Sequence, residues 1–543
     1  MLRPCTAAGF PIALAVGEYV TADPTLDSGC TVFPANGASD AEYLVVPQLA
    51  TGVPGRSSSF RLTGDTIRPV MLSEPLAASP GDDLLSTADR FHAFLRHGDE
   101  RRSWGFLPEK GPAPSPSGPL PSTTVGPPVM NELRTFQVCA RLDCKRFDTV
   151  RARVRAVKSK VAILVDTLAP AGGLDSTALD GLAALFNDRL YGVDTAAFGR
   201  ESDINGDSVV LVLMTGTVNK LVPKAECQAG SFVAGFFFGV DIDPAYQNDS
   251  RSNKAEVFYS LVADPAGVLS CSHSATEVER LVPVTFIHEF QHMISYNQHA
   301  LLRGGNGEVL WLNEGLSHYA EELGGRSFEP TPGARLTDCT IGSVVCRYYG
   351  GNLLNAYEYL DSTRNHFLLP ADGIGTLTER GAAWLFVRYL VDRYSGGTSL
   401  LEWNTFTRRL LQTTNTGATN VATVTGQQFE TVVTRWALAN WVSDLPGFTA
   451  PAVLTYDSWA FRPTYESLNR QRSTVFPKPF PLVPSASAGR AVSVSGTLRA
   501  GSGIYHRALQ APGDPGFTLL FSTGGGGVLS PTLIPRLNVI RIQ

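Results

Sequence analysis

The sequence has neither a long apolar run nor a run of basic residues, and each absence excludes a class of protein. Nowhere do about 18 apolar residues follow one another, as a bilayer-crossing helix requires, so no transmembrane segment is predicted. Lys and Arg number 45 against 50 Asp and Glu, and no basic cluster suited to a phosphate backbone occurs. Nucleic acid is therefore not an expected partner. The chain also lacks a G-x-S-x-G elbow and a phosphate-binding loop, which disfavours other classes of enzyme.

The composition that is present is that of a folded chain with several units. The 543 residues are 43% hydrophobic and 17% charged, which is typical of globular proteins and unlike disordered ones. This length exceeds what one hydrophobic core organises, so three or four units are expected. We expect a monomer.

Cysteine usage favours an extracellular protein. The eight cysteines contain no C-x-x-C, which argues against a thiolate metal site and for disulfides. The start of the chain shows no convincing signal peptide, because the apolar piece at 11–16 is too short, and we interpret the sequence as a mature or trimmed chain. Buried free thiols in a cytosolic protein are the alternative. The expected pairs are Cys5/Cys30, Cys139/Cys144, Cys227/Cys271 and Cys339/Cys346.

Four units follow from the patterning along the chain. Short alternating runs, among them Val70 and Leu72, predict an N-terminal β-sandwich, and a Pro-, Ser- and Gly-rich segment at 111–128 predicts a linker. Buried strands and helices then predict an α+β lobe, a mostly helical lobe and a small C-terminal β module. The expected units are 1–140 (β-sandwich), 141–300 (α+β), 301–450 (helical) and 451–543 (β module).

The motif that carries chemistry is His288-Glu289-Phe290-Gln291-His292. Residues four apart lie on one face of a helix, so His288 and His292 can bind one metal ion. Glu289 is rotated by about 100° from His288 and can face a metal-bound water without being a ligand. We expect the helix to begin at Pro283, because proline suits a first helical position, although Ser274 to Glu277 is a candidate capping box.

The third ligand is expected in the segment Trp311-Leu312-Asn313-Glu314-Gly315. A catalytic zinc keeps three protein ligands and leaves one position for water. Glu314 lies 22 residues after His292, and a glycine-rich loop at 303–307 leaves room for a second helix to cross the first.

These two segments resemble the gluzincins, the superfamily of thermolysin and the zinc aminopeptidases. Within it, HEFQHM and NEGLS are most similar to the hyicolysin family of neutral zinc metallopeptidases. The specific likeness spans 288–323, with a looser one over about 200–440. The resemblance implies a zincin-type, thermolysin-like catalytic domain, with His288, His292 and Glu314 as zinc ligands and Glu289 as general base. It implies a secreted zinc endopeptidase acting on proteins or peptides.

Other site residues are less defined. The superfamily stabilises the oxyanion with a Tyr or a His, and Tyr348, Tyr349 and His318 are the candidates here. In thermolysin-like chains the position of His318 is acidic and orients a ligand histidine, so this chain departs from the pattern. His299 lies one residue beyond the place where metzincins carry a third histidine, and a solvent-facing helix end is expected there.

Two further predictions concern the surroundings of the site. The run 256–262 directly precedes the zinc helix and is our candidate sheet edge for an extended substrate. The segment Asp203 to Asp207 resembles the start of a calcium loop, but loop position 12 is Met214, which favours a tight turn. Ca²⁺ stays open as a second metal.

Two alternatives to an endopeptidase stay open. One is a secreted binding or adhesion protein with an inactive peptidase-like domain, which the terminal β units would suit. The other is a zinc aminopeptidase, which WLNEG and Glu379 to Ala382 resemble. The tyrosine that aminopeptidases carry just before that glutamate is Thr378 here, and their G-x-M-E-N motif is absent.

Overall fold

The computed structural model describes residue 5 and residues 9–65, 85–104 and 126–543. Val70, Leu72 and most of the linker expected at 111–128 lie outside these residues. The described strands are β1 (Phe10–Pro11), β2 (Tyr19–Ala22), β3 (Cys30–Phe33), β4 (Ala41–Leu49), β5 (Ser57–Gly64), β6 (Leu133–Cys139), β7 (Phe147–Val157), β8 (Val161–Asp166), β9 (Val210–Met214), β10 (Gly235–Phe237), β11 (Val257–Ser260), β12 (Ser485–Ala488), β13 (Ser493–Arg499), β14 (His506–Gln510), β15 (Phe517–Thr523) and β16 (Pro535–Arg541).

The described helices are concentrated between the two β-rich ends. They are α1 (Thr87–Arg101), α2 (Ser176–Leu185), α3 (Tyr191–Phe198), α4 (Gly216–Asn219), α5 (Lys224–Gln228), α6 (Ala275–Tyr296), α7 (Leu310–Arg326), α8 (Val344–Asp361), α9 (Leu377–Tyr394), α10 (Leu400–Leu411), α11 (Gly417–Thr425), α12 (Phe429–Val442) and α13 (Phe461–Gln471). Within the described ranges, none of them combines the length and hydropathy needed to cross a bilayer.

The strands of the two chain ends form one β-sandwich. Its sheets have the orders β1-β3-β15-β5-β13 and β12-β14-β4-β16-β2, so each sheet mixes N-terminal and C-terminal strands. Buried side chains of both sheets share one core, including Phe33, Val45, Leu62, Phe521 and Val539. The expectation of separate β units at 1–140 and 451–543 is thus corrected. Alternation along a strand shows which face is buried, but not which strand pairs with it.

A six-stranded sheet of order β10-β11-β9-β8-β7-β6 packs against helix α6, which carries the HExxH motif. β9 runs parallel to β8 and β11, while β10 closes the sheet as an antiparallel edge. The candidate substrate edge at 256–262 is therefore wrong, because β11 is an interior strand. β6 also belongs to this sheet, which moves its residues out of the unit expected at 1–140.

Helix α6 begins earlier than expected. The hydroxyl of Ser274 accepts from the backbone N–H of Glu277, whose carboxylate accepts from Ser274 N–H, so the capping box is formed. Pro283 lies inside the helix and is not its first residue. An interior proline costs about 3 kcal/mol. The buried second half of the helix offsets this, as Phe286 and Phe290 stack on each other and Phe286 stacks on Phe186.

Helix α1 corrects the expectation of β structure up to residue 140. Ser86 and Asp89 form a capping box, and Phe91 and Leu95, four residues apart, are fully buried. The capping pair is visible in the sequence, but the Gly, Pro and Ser residues before it are typical of turns between strands and favoured the β interpretation. α1 lies between the central sheet and the helical lobe, next to the HExxH motif.

The four disulfides pair the cysteines as expected. Cys5–Cys30 lies in the sandwich, Cys139–Cys144 closes the loop between β6 and β7, Cys227–Cys271 links α5 to the segment before α6, and Cys339–Cys346 ties the first turn of α8 to the segment before it. No described cysteine is free.

Candidate metal centre

Three side chains from two adjacent helices converge on one point. The Nε2 atoms of His288 and His292 on α6 lie 3.2 Å apart, and Glu314 on α7 brings its carboxylate oxygens to 3.5 Å and 3.4 Å from them. A tetrahedral ion with ligand bonds of about 2.0–2.1 Å separates neighbouring donor atoms by about 3.3 Å. The arrangement thus matches the spacing that a small divalent metal requires, and these residues form a candidate metal-binding group.

The charges of this group favour a cation at its centre. Burial lowers the pKa of His288, but hydrogen bonds to Glu314 and Glu321 outweigh it and raise that pKa to about 10. Burial and nearby Arg96 hold the pKa of His292 well below its usual value, so of the two imidazoles only His288 takes up an additional proton. Glu314 Oε1 is buried and has no hydrogen-bond partner among the described residues. A divalent ion would coordinate that oxygen and take the place of the additional proton on His288.

A hydrogen bond behind His288 presents one of its ring nitrogens to the centre. His288 Nδ1 lies 2.7 Å from Glu321 Oε1, so Nδ1 can carry the proton while Nε2 keeps its lone pair for a metal. Ser317 Oγ lies beside the ring of His292, 3.1 Å from Nδ1 and 3.3 Å from Nε2.

Glu321 is a candidate site residue that the sequence analysis missed. It supplies the acidic partner of His288 that His318 cannot supply, and its Oε1 also lies 3.1 Å from His318 Nδ1. The signal was present in the sequence, because 314, 318 and 321 fall on one face of a helix. His318 is part of the site, with its ring centre 4.8 Å from that of His288.

Glu289 lies beside the three candidate ligands and is not one of them. Its Oε2 accepts the backbone N–H of Phe237, on the edge strand β10, at 3.0 Å. The carboxylate is only 1% exposed, and burial raises its pKa, opposed by the guanidinium of Arg96. Its other oxygen lies 3.8 Å from His92 Nδ1. His92 and Arg96, both on α1, are further site residues that the sequence analysis did not identify.

The two tyrosines suggested for the oxyanion contact other parts of the protein. Tyr349 donates to Glu329 Oε1 at 3.3 Å and packs edge-on against Trp459. Tyr348 packs against Phe328 and under Gly324 of α7. Neither has a described contact with the candidate ligands, so their suggested role stays a prediction without a contact to support it.

The expected calcium segment closes on itself. Asp203 accepts from the backbone and hydroxyl of Ser208, and Asp207 accepts from Val209 N–H. The side chains of Asn205 and Asp207 are hydrogen-bonded to each other. These contacts are those of a tight turn into β9, and a role in binding Ca²⁺ stays a prediction.

His299 is not at a solvent-facing helix end, as was expected. It is fully buried and lies 3.8 Å from Glu308 Oε2, in a group that also includes Asn420. It belongs to the packing of the helical lobe.

Comparisons with known proteins agree with a metallopeptidase relationship and do not establish a family. No family model matches the chain. A curated relative, "Neutral metalloprotease ShpI" of Staphylococcus hyicus, is 27% identical over 139 residues. The match covers 25% of this chain and 29% of that protein, so the chain matches under a third of the relative's length. The class that the site and this likeness support is a metallopeptidase.

Proposed function

We propose that this chain is a secreted zinc-dependent endopeptidase that hydrolyses peptide bonds in proteins or peptides. The observation that carries the proposal is the convergence of His288, His292 and Glu314 with Glu289 beside them. The likeness to a protein named a neutral metalloprotease supports it. The four disulfides support export, because the reducing cytosol opposes them.

Two imidazoles and one carboxylate are a donor set that catalytic zinc sites use, and three protein ligands leave a position for water. Zinc bound there would polarise the peptide carbonyl and lower the pKa of water to about 7. Glu289 accepts the proton of the attacking water and passes it to the leaving nitrogen. Burial raises its pKa toward the operating pH, where such transfer is most efficient.

His318 is our candidate for stabilising the charge that develops on the carbonyl oxygen. It is buried in the site, and its Nε2 has no hydrogen-bond partner among the described residues. Glu321 Oε1 lies 3.1 Å from Nδ1 of the same ring, and Nε2 is the atom that would donate to the developing charge.

An endopeptidase fits better than an aminopeptidase. Glu379, the residue in the aminopeptidase-like position, caps α9, since its carboxylate accepts from Thr376 N–H at 2.8 Å and also pairs with His366. A carboxylate engaged in this way is not free to bind a substrate amine. The edge strand β10 instead suits an extended peptide that pairs as an additional strand.

The test combines metal analysis with hydrolysis. The protein should contain one zinc per chain and cleave casein and an internally quenched peptide, and a chelator should stop both reactions. Glu289→Gln should keep the zinc and lower kcat by about 10²–10⁴-fold, the usual contribution of a general base.

Glu279→Gln is the matched control, because Glu279 lies on the same helix and is exposed. It should leave zinc content and hydrolysis unchanged. A zinc-loaded Glu289→Gln protein with wild-type activity would disprove the mechanism. Metal-free protein, or zinc-bound protein in which no variant hydrolyses peptides, would favour the binding-protein alternative.

A further inference from the structure

Helix α1 occupies the edge strand that a substrate would use. Phe237 on β10 directs both of its backbone polar groups away from β11: its N–H donates to Glu289, and its carbonyl accepts from Arg96 Nη2 at 2.8 Å. Phe91 of α1 packs edge-on against the neighbouring Phe236, with ring centres 5.0 Å apart. Arg96 of α1 therefore occupies the carbonyl of residue 237, and a peptide cannot bond to that carbonyl while α1 is in place.

The same helix surrounds the proposed general base. Arg96 Nη2 lies 3.9 Å from Glu289 Oε2, and His92 Nδ1 lies 3.8 Å from Oε1. Arg96 itself is 1% exposed and is further paired with Asp99 on the next turn of α1. The base is thus covered by α1, with Arg96 against one carboxylate oxygen and His92 against the other.

α1 is attached to both sides of the site. Asp89, in its first turn, forms an ion pair with Arg380 of α9, in the helical lobe. Directly after α1, Arg102 forms a two-pronged ion pair with Asp243, which belongs to the segment following β10. A helix anchored in this way spans the region between the central sheet and the helical lobe, where a peptide would have to enter.

We propose that α1 is a built-in inhibitory segment and that the described arrangement is a latent form of the enzyme. Hydrolysis then requires that α1 leave β10 and Glu289, so that the strand edge and the base become accessible. This inference rests on the proposed peptidase function. The competing interpretation is that α1 is a permanent wall of the substrate site whose histidine and arginine assist catalysis.

Two substitutions loosen α1 at separate contacts, neither of which involves a candidate ligand. Arg96→Met keeps the length of the side chain but removes the bond to the Phe237 carbonyl and the charge beside Glu289. Asp89→Asn weakens the pair with Arg380 and the cap of α1. Arg101→Ala is the matched control, because Arg101 is an exposed arginine of the same helix.

Two rates are measured on the intact, zinc-loaded chain: release of zinc to an excess of 1,10-phenanthroline, and hydrolysis of an internally quenched peptide. We expect Arg96→Met and Asp89→Asn each to raise both rates about tenfold or more, as the loss of one charge-assisted hydrogen bond implies. Arg101→Ala should change neither. A synthetic peptide of residues 87–104, added to Arg96→Met, should inhibit it competitively. Melting curves establish that each variant is folded, and if one is not, the other carries the test.

The outcomes separate this inference from the proposed function. If zinc release and hydrolysis are both faster, and Glu289→Gln abolishes the hydrolysis, the result supports both the inference about α1 and the proposed function. Faster zinc release without hydrolysis in any variant supports α1 as the cover of the site and overturns the peptidase. Slower hydrolysis with unchanged zinc release overturns the inference and makes α1 a wall of the active site.

Discussion

Replacing Glu321 should weaken metal binding although Glu321 is not one of the three proposed ligands. Its Oε1 lies 2.7 Å from His288 Nδ1, and both side chains are 11% exposed, so little water is available to take over the hydrogen bond. Partners of this kind typically contribute 10–100-fold to metal affinity. We expect Glu321→Ala to lose about 100-fold and Glu321→Gln, whose amide oxygen can still accept, about tenfold. These losses correspond to about 2.8 and 1.4 kcal/mol.

The assay is a competition titration of zinc between the protein and a chromophoric chelator, with melting curves recorded in parallel. Glu322→Gln is the matched control, because Glu322 is the next residue and is also buried but accepts from Arg326, Trp384 and Trp459. It should destabilise the fold by about 3–5 kcal/mol, since buried arginines lose their partner, and leave the zinc affinity of the folded protein unchanged. Glu321→Ala with wild-type affinity, or a loss as large in Glu322→Gln, would refute the role of Glu321.

Two more predictions address packing and pH. Gly315→Ala should lower the free energy of unfolding by about 1–3 kcal/mol and should also lower the zinc affinity. The new Cβ would lie 2.9 Å from the Ala383 carbonyl oxygen and push α7, with Glu314, away from α9. Urea unfolding and the zinc titration check this, and an unchanged affinity would contradict it. Burial raises the pKa of Glu308 to about 7 from its usual 4.5. Between these pH values the folded protein therefore binds more protons than the unfolded chain. The stability that Glu308 contributes should then fall as the pH rises from about 4.5 to 7. The difference in free energy of unfolding between wild type and Glu308→Gln, measured by urea at pH 5 and pH 7, should show this fall, and a difference independent of pH would exclude it.

The candidate metal site was predictable because its signal is local. His288 and His292 belong to one helical turn, and Glu314 follows in a segment with its own recognisable pattern. Helical periodicity alone places these side chains on facing surfaces of two consecutive helices. The disulfides were predictable for the same reason, since each pair consists of neighbouring cysteines in the sequence.

The architecture around the site was not predictable in the same way. β4 pairs with β16 and β5 with β13, across more than 400 residues, and alternating hydrophobicity carries no information about a partner so distant. The order of β10 and β11 was also inaccessible, because both strands are fully buried and short. α1 illustrates a third case: Ser86 and Asp89 indicate its start, but only the packing of Phe91 and Arg96 on β10 places it over the site.

The departure at His318 from the thermolysin-like pattern has a geometric explanation in α7. At about 100° per residue, position 318 is rotated by about 40° from Glu314, whereas position 321 is rotated by only about 20° and lies about 10 Å further along the axis. α6 and α7 run past each other in opposite directions here, since Ser317 contacts His292 and Glu321 contacts the earlier His288. An acid two turns after the ligand glutamate can therefore orient the first histidine as well as an acid one turn after it. The position thus freed holds His318 in the site, where it can act on substrate, and a His318→Asp variant should then keep its zinc and lose hydrolysis.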